Sequence, residues 1–351
     1  MSGREIMRSS VRHFQRYYSP KVGDALRLDT NTNVLGSHPA AVEALSSLGD
    51  LDFNNYPSTY SDGLREALAE KYGLSSEHFV VGSGSDESLD IICKCFLEVG
   101  DRVVLPYPSY SLYDFFVELN GGEVAMVDLD EDFQLDVEAM LAAGGKLIIM
   151  PTPNNPTGNS FREENIVEIL ERFPGIVVVD EAYGEYSGRS FLSRVDEFDN
   201  LVVIKTLSKA YALAGLRVGI SASNVKLADM MSSVKIPYSL NILSERAAIA
   251  ALRDDSFIEE SVRMVDENRP LLAAGLEELG FQVYPSNANF LLARAPIPHT
   301  ELIEGLRDKG ILIRDFGARR RMENCVRATV GTPELNARLL GAIRELLEER
   351  A

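Results

Sequence analysis

From about residue 60 to 220 the chain alternates helical patterns of apolar and polar positions with short, continuously apolar runs rich in valine and isoleucine. The runs are FVVG at 79–82, RVVLP at 102–106, KLIIMP at 146–151, GIVVVDE at 175–181, NLVVIKT at 200–206 and RVGISA at 217–222. Apolar runs without polar alternation predict strands covered on both faces. Amphipathic stretches such as SLDIICKCFLEV and REENIVEILERF lie between several of them. That order predicts βαβ crossovers and an α/β fold with a mostly parallel central sheet flanked by helices. Past residue 240 the pattern changes. Two long helical segments, SERAAIAALRDD and FIEESVRMVDENRPLLAAGLEELG, precede the short strands FQVYP, NFLLAR, GILIRD and CVRATVG and a terminal helix, NARLLGAIRELLEER. This predicts a large domain over 31–240 and a smaller α+β domain over 241–351. Residues 1–30 are expected to form an N-terminal arm and the start of the small domain, because LRLDTN at 26–31 reads as a lone strand.

Composition narrows the function classes. A chain of 351 residues with 45% apolar content has room for two domains. No apolar run approaches the ~20 residues of a membrane span, and the N-terminus has no continuous apolar segment of the secretory kind, so a cytoplasmic location is expected. The net charge of −18 argues against binding the nucleic-acid backbone. Cys93, Cys95 and Cys325 contain no CxxC pair, and His13, His38, His78 and His299 are scattered, so neither a disulfide framework nor a zinc site is expected. Cys93 and Cys95 read as packed free thiols.

The chemistry clusters where the apolar runs stop. In open parallel sheets ligands sit outside the carboxyl ends of the strands. After FVVG comes GSGSDESL, a glycine turn opening a helix, whose free N–H groups suit a phosphate; it fails the dinucleotide and P-loop spacings. After RVVLP come Tyr107, Tyr110 and Tyr113, of which Tyr110 is the choice to stack on a flat ligand. After KLIIMP comes TPNNPTG, where a rigid turn explains the prolines but not two adjacent amides, and Asn155 can donate to a ring oxygen. Asp180 ends a fully apolar strand, which is costly without a partner; a protonated ring nitrogen or a salt bridge to Lys209 or Arg217 would serve. Lys209 closely follows LVVIK, with Ser208 before it and Arg217 after it. A desolvated lysine has a lowered pKa and suits covalent capture of an aldehyde, while Ser208 and Arg217 suit an anion. An ordinary strand end with a snorkelling lysine is the alternative.

These segments, in this order, resemble the fold-type I pyridoxal 5′-phosphate (PLP)-dependent aminotransferases of class I/II over nearly the whole chain. GSGSDE, TPNNPTG, VVDEAYGEY and TLSKAYALAGLRVG are similar to the histidinol-phosphate aminotransferase group in particular. The resemblance implies that Lys209 carries PLP covalently, that Asp180 keeps the ring nitrogen protonated, and that Asn155 and Tyr183 bind the ring hydroxyl oxygen. It implies further that Ser85, Asp86, Thr206, Ser208 and Arg217 hold the cofactor phosphate and that Tyr110 stacks on the ring. Tyr56, in NNYP, is implied to reach the phosphate in the neighbouring subunit, hence a homodimer with shared sites.

On the substrate side the resemblance points to Arg327 in CVRATVGTPE and Arg314 in ILIRDFG as anion-binding residues, and to Tyr18 in YYSP as a substrate-phosphate contact. An arginine pair suits a phosphate monoester. The triplet Arg319, Arg320 and Arg321 reads as solvated surface. One departure stands out: the family's NENP-like segment is NTNV here, at 31–34. The implied reaction converts L-histidinol phosphate and 2-oxoglutarate to imidazole acetol phosphate and L-glutamate, in histidine biosynthesis. Aromatic amino-acid transamination, or decarboxylation as in threonine-phosphate decarboxylase-like enzymes, are the alternatives.

Overall fold

The apolar runs lie side by side in one seven-stranded sheet. The computed structural model describes residues 6–16 and 23–350; Tyr18 falls outside them. In chain order the strands are β1 (Leu26–Arg27), β2 (Phe79–Ser83), β3 (Arg102–Tyr107), β4 (Glu123–Asp128), β5 (Leu147–Pro151), β6 (Ile176–Asp180) and β7 (Leu201–Thr206). They continue as β8 (Val218–Ser223), β9 (Gln282–Val283), β10 (Phe290–Arg294), β11 (Ile311–Leu312), β12 (Arg314–Asp315) and β13 (Cys325–Thr329). The large sheet has the order β2-β8-β7-β6-β5-β3-β4. Only β8 is reversed, pairing antiparallel with both β7 and β2.

Strand alternation explains why both faces are covered. Val177 and Val179 of β6 enter one apolar cluster and Val178 enters the other. Helices Asp62–Tyr72, Glu163–Arg172 and Ile242–Leu252 cover the first face. Helices Ser85–Phe96, Leu112–Leu119 and Val225–Val234 cover the second. The same alternation separates two acidic neighbours. Asp180 points to the second face, whereas Glu181 points to the first, where it meets the buried Lys205 ammonium at 3.2 Å.

Three elements differ from the sequence expectation. The edge strand β4, EVAMVD, carries no continuous apolar signal because it is half-exposed, with Met126 50% exposed. GILIRD is two strands rather than one: β11 pairs parallel with β1, and β12 pairs antiparallel with β13 in a sheet of order β12-β13-β10-β9. The arginine triplet is not simply solvated. Arg320 forks onto the Asp128 carboxylate at the end of β4 and lies 4.5 Å above the Tyr107 ring, and Arg321 donates to the Asp130 carbonyl at 2.9 Å. Arg319 lies over Phe316. These contacts join the loop after β12 to the large sheet. All three cysteines are free. Among the described residues no helix is long and apolar enough to cross a membrane, and no cluster of metal-ligating side chains occurs.

Candidate active site

Because β2, β3, β5, β6 and β7 run in one direction, their carboxyl ends share an edge, and the reversed β8 brings its preceding residue, Arg217, to the same edge. A cleft of about 250 Å3 opens there. Ser85 and Asp86 reach it from the end of β2, Tyr110 from β3, and Asn155 from β5. Asp180 and Tyr183 come from β6, and Thr206, Ser208 and Lys209 from β7. Arg314 and Arg327 close the opposite side from the four-stranded sheet. Tyr56 does not line the cleft; it is 82% exposed and stacked on Tyr238 at 4.8 Å.

Asp180 is buried with no cationic partner among the described residues. Its Oδ2 accepts the Tyr113 hydroxyl at 2.7 Å and its Oδ1 accepts the Ala182 N–H at 3.0 Å, so neither Lys209 nor Arg217 is its partner. Burial pushes the carboxyl up to about 6, against the pull of those two hydrogen bonds. A cationic nitrogen placed against it would reverse that shift. Tyr113 is a residue the sequence reading passed over in favour of Tyr110, which meets it edge-on at 5.3 Å. The signal was the position of Tyr113 near the start of the Leu112–Leu119 helix, which turns it inward.

At the other end of the cleft is an anion cradle. The Ser85–Phe96 helix begins at the cleft wall, so its unpaired N–H groups and positive dipole end face the cavity. Gly84, at φ +83°, and Gly219 are required: a Cβ on Gly84 would lie 2.4 Å from the Arg217 guanidinium, and one on Gly219 would lie 2.1 Å from Gly84 backbone. The Asp86 carboxylate accepts from Arg217 at 2.7 Å, which leaves only the Asp86 backbone N–H to meet an anion. Thr206 donates to Ser208 at 3.0 Å, joining two hydroxyls on the same side.

The segment after β1 threads through the site. The Lys209 amine donates to the Thr30 carbonyl at 2.9 Å, and Arg327 Nη2 donates to the Asp29 carbonyl at 2.7 Å. Asn31 Nδ2 donates to the Tyr183 hydroxyl at 3.0 Å, and Asn33 Nδ2 to the Ala210 carbonyl at 2.9 Å. The sequence departure at NTNV falls on Thr32 and Val34, between and beyond these contacts. None of Asp29, Thr30, Asn31 and Asn33 was singled out from sequence, because two of the four act through backbone carbonyls, which carry no residue-type signal.

Arg314 and Arg327 stand directly opposite each other across β12 and β13. Like charges at facing positions are unfavourable. Burial, with the Arg314 charge adding, lowers the Arg327 pKa to about 10, so Arg327 remains cationic at neutral pH. Arg327 Nη1 donates to Asn155 Oδ1 at 2.5 Å, while its Nε is buried and unpartnered among the described residues. An anion between the two arginines would satisfy both. The cleft therefore suits a ligand with an anionic tail at the Ser85 helix, a protonated ring nitrogen at Asp180 and a carbonyl carbon near Lys209, with a second anion brought by a substrate to the arginine pair.

Residues 23–343 match the family described as aminotransferase class I and II. A histidinol-phosphate aminotransferase of Caldanaerobacter subterraneus is 35% identical over 354 residues, covering 97% of this chain and 99% of that protein. One from Thermococcus gammatolerans is 38% identical over 341 residues, covering 96% of each. The solved structure of histidinol-phosphate aminotransferase from Sinorhizobium meliloti in complex with pyridoxal 5′-phosphate superposes with a TM-score of 0.86 at 26% identity, over 93% of this chain and 92% of that one.

The buried carboxyl has a measurable signature in protein stripped of any ligand. Its folded pKa, about 6, lies above the unfolded value of 3.8, so its contribution to stability is complete below the unfolded value and is lost as pH rises through about 6. Asp180→Asn removes that loss. The melting temperature of the variant relative to wild type should climb between pH 4 and pH 7, by the equivalent of about 3 kcal/mol. A difference that stays flat across that range would contradict an ionisable, uncompensated Asp180.

Proposed function

We propose a reaction for this chain on the premise that it belongs to the aminotransferase class I and II family. It is a PLP-dependent aminotransferase that exchanges the amino group of L-histidinol phosphate with 2-oxoglutarate. Such a reaction belongs to histidine biosynthesis, and we place it in the cytoplasm. The observation that carries the substrate assignment is the pair of facing arginines, Arg314 and Arg327, at the mouth of the cleft that holds Lys209. A doubly charged phosphate monoester is the anion best matched to two guanidinium forks.

When bound, PLP supplies an aldehyde that captures amines and a ring that withdraws electrons from the substrate α-carbon. Lys209 would hold it covalently until the substrate amine takes its place, and the Lys209 amine so released would be the base that takes the α-proton and the acid that returns it. Asp180, fixed by Tyr113, would pair with the ring nitrogen and keep its proton in place. Asn155 and Tyr183 would bind the ring hydroxyl oxygen, and Tyr110 would lie against the ring. Ser85, the Asp86 N–H, Thr206, Ser208 and Arg217 would hold the cofactor phosphate. The substrate's anionic end would sit between Arg314 and Arg327, with Tyr18 as a further contact. The large domain over 31–240 then supplies the cofactor site. The small domain, 241–351 with 1–30, apart from the helix Ile242–Leu252 that packs on the large sheet, supplies the substrate arginines.

The working unit is a homodimer. Phe53 and Ile236 are each 59% exposed near the stacked pair Tyr56 and Tyr238, an apolar patch that a second copy would cover. Tyr56 would cross into the neighbour's site and reach the cofactor phosphate there.

Two measurements test this reading. Charge-assisted hydrogen bonds are worth roughly 1.5–3 kcal/mol, so Arg314→Ala should lower kcat/KM for L-histidinol phosphate about ten- to a hundredfold. Glutamate turnover should suffer much less, because its α-carboxylate relies on Arg327, and Arg327→Ala should damage both. A wild-type preference for phenylalanine or tyrosine, or equal loss in both half-reactions of Arg314→Ala, would move the assignment to aromatic amino acids. Sedimentation should give twice the 38.7 kDa chain mass; a stable, fully active monomer would exclude the shared site.

A further inference from the structure

Asn31 is buried, 1% exposed, and sits in the left-handed region at φ +54°. Its Oδ1 accepts from Thr329 Oγ1 at 3.4 Å, and three further contacts fix it. Its N–H donates to Thr329 Oγ1 at 3.1 Å, its carbonyl accepts from Asn289 Nδ2 at 3.1 Å, and its own Nδ2 donates to Tyr183 Oη at 3.0 Å. Thr329 ends β13 and Asn289 precedes β10, so the residue is anchored on the four-stranded sheet. Tyr183 follows β6 of the large sheet, so the Asn31 side chain spans the two.

That contact sets the direction of a proton. A phenol has one O–H and accepts on the remaining lone pairs. With an amide N–H already donated into the oxygen, the Tyr183 proton is free to point elsewhere, and no acceptor for it occurs among the described residues. Tyr183 is one of the residues that line the cleft. Asn155 is oriented in the same sense by an independent contact: Arg327 donates to its Oδ1 at 2.5 Å, which leaves the Nδ2 donor for a ligand. Both groups that face a ring oxygen are thus turned into donors by residues anchored on the four-stranded sheet.

We infer that Asn31 is a positioning residue that makes Tyr183 a fixed hydrogen-bond donor to the cofactor's ring oxygen, an assignment that rests on the PLP site proposed above. The effect falls on the proton shared between the Lys209 linkage and that oxygen. Loss of this proton leaves fuller negative charge on the ring oxygen, and a donor there favours the deprotonated form, lowering the midpoint of the transition. The competing role for Asn31 is purely local, as one of the few residue types that tolerate a left-handed backbone.

The two roles separate by substitution. Asn31→Gly keeps the turn and deletes the donor, since glycine takes positive φ without strain. Asn31→Asp keeps both the turn and the size but accepts the phenol proton instead of donating to the oxygen. The readout is the pH titration of the visible absorbance of the PLP-loaded protein. Both variants should raise its midpoint, Asn31→Gly by about half to one pH unit, the equivalent of one ordinary hydrogen bond. In a Tyr183→Phe background, Asn31→Gly should add no further shift. Unchanged midpoints in both variants overturn the inference, as does an equal shift with and without the Tyr183 hydroxyl. Failure of Asn31→Gly and Asn31→Asp to fold or bind PLP, when Tyr183→Phe does both, overturns it too, because Asn31 would then act on the turn alone. A wild-type protein that takes up no PLP fails the cofactor reading instead.

Discussion

A nearly buried carboxyl group stands at the carboxyl end of the central strand β6, and much of the site is arranged around it. Asp180 is 5% exposed, and among the described residues its partners are one tyrosine hydroxyl and one backbone N–H, with no cation. An ionised carboxylate in that position is costly, and its proton affinity rises in consequence. The neighbouring acid, Glu181, is likewise pushed up by burial, but it turns to the other side of the sheet, where the Lys205 ammonium pulls against that shift. The site therefore stores an unmet demand for positive charge at one defined point, and a protonated ring nitrogen satisfies it. The helix N-terminus with Arg217 makes the complementary demand for an anion at the far end.

The second organising feature is the reach of the C-terminal sheet into the large one. Arg327 orients Asn155, and Asn31, anchored by Thr329 and Asn289, binds Tyr183. Thr30 receives the Lys209 amine. The loop after β12 grips the end of β4 through Arg320 and Asp128, two exposed groups whose pairing adds little stability, while Arg314 and Phe316 just before that loop line the cleft. Substrate-facing arginines and cofactor-facing donors are thus held by one continuous set of contacts. Two cations opposite each other, Arg314 and Arg327, complete a surface that is unfavourable until an anion arrives.

Much of this was legible before any coordinates. Continuously apolar runs marked β2, β3 and β5 to β8, because strands buried on both faces leave a strong signal, and the polar residues ending them converge on the cleft. The half-exposed β4 left none, and GILIRD concealed a change of sheet at Ile313 because pairing partners are not written in a six-residue pattern. Tyr113 and Tyr110 were both visible, but which would face Asp180 depended on where the next helix began. The contributions of Asp29 and Thr30 were beyond reach, since a backbone carbonyl has the same chemistry in every residue. Asn31 carried a weak cue, being an asparagine at a strand end, and its meaning came only with the position of Tyr183. The arginine triplet misled because a basic run looks alike whether solvated or docked on acidic neighbours.

The central claim is that the half-buried Lys209 is the residue that holds the cofactor, and two lysines that are buried among the described residues, Lys205 and Lys235, are the alternatives against which to test it. Borohydride reduction of the PLP-loaded protein fixes the cofactor wherever it is covalently attached, and peptide mapping then locates it. A single pyridoxyl group on the peptide containing Lys209 is the result this account predicts. A label on Lys205, on Lys235 or on no lysine would contradict it.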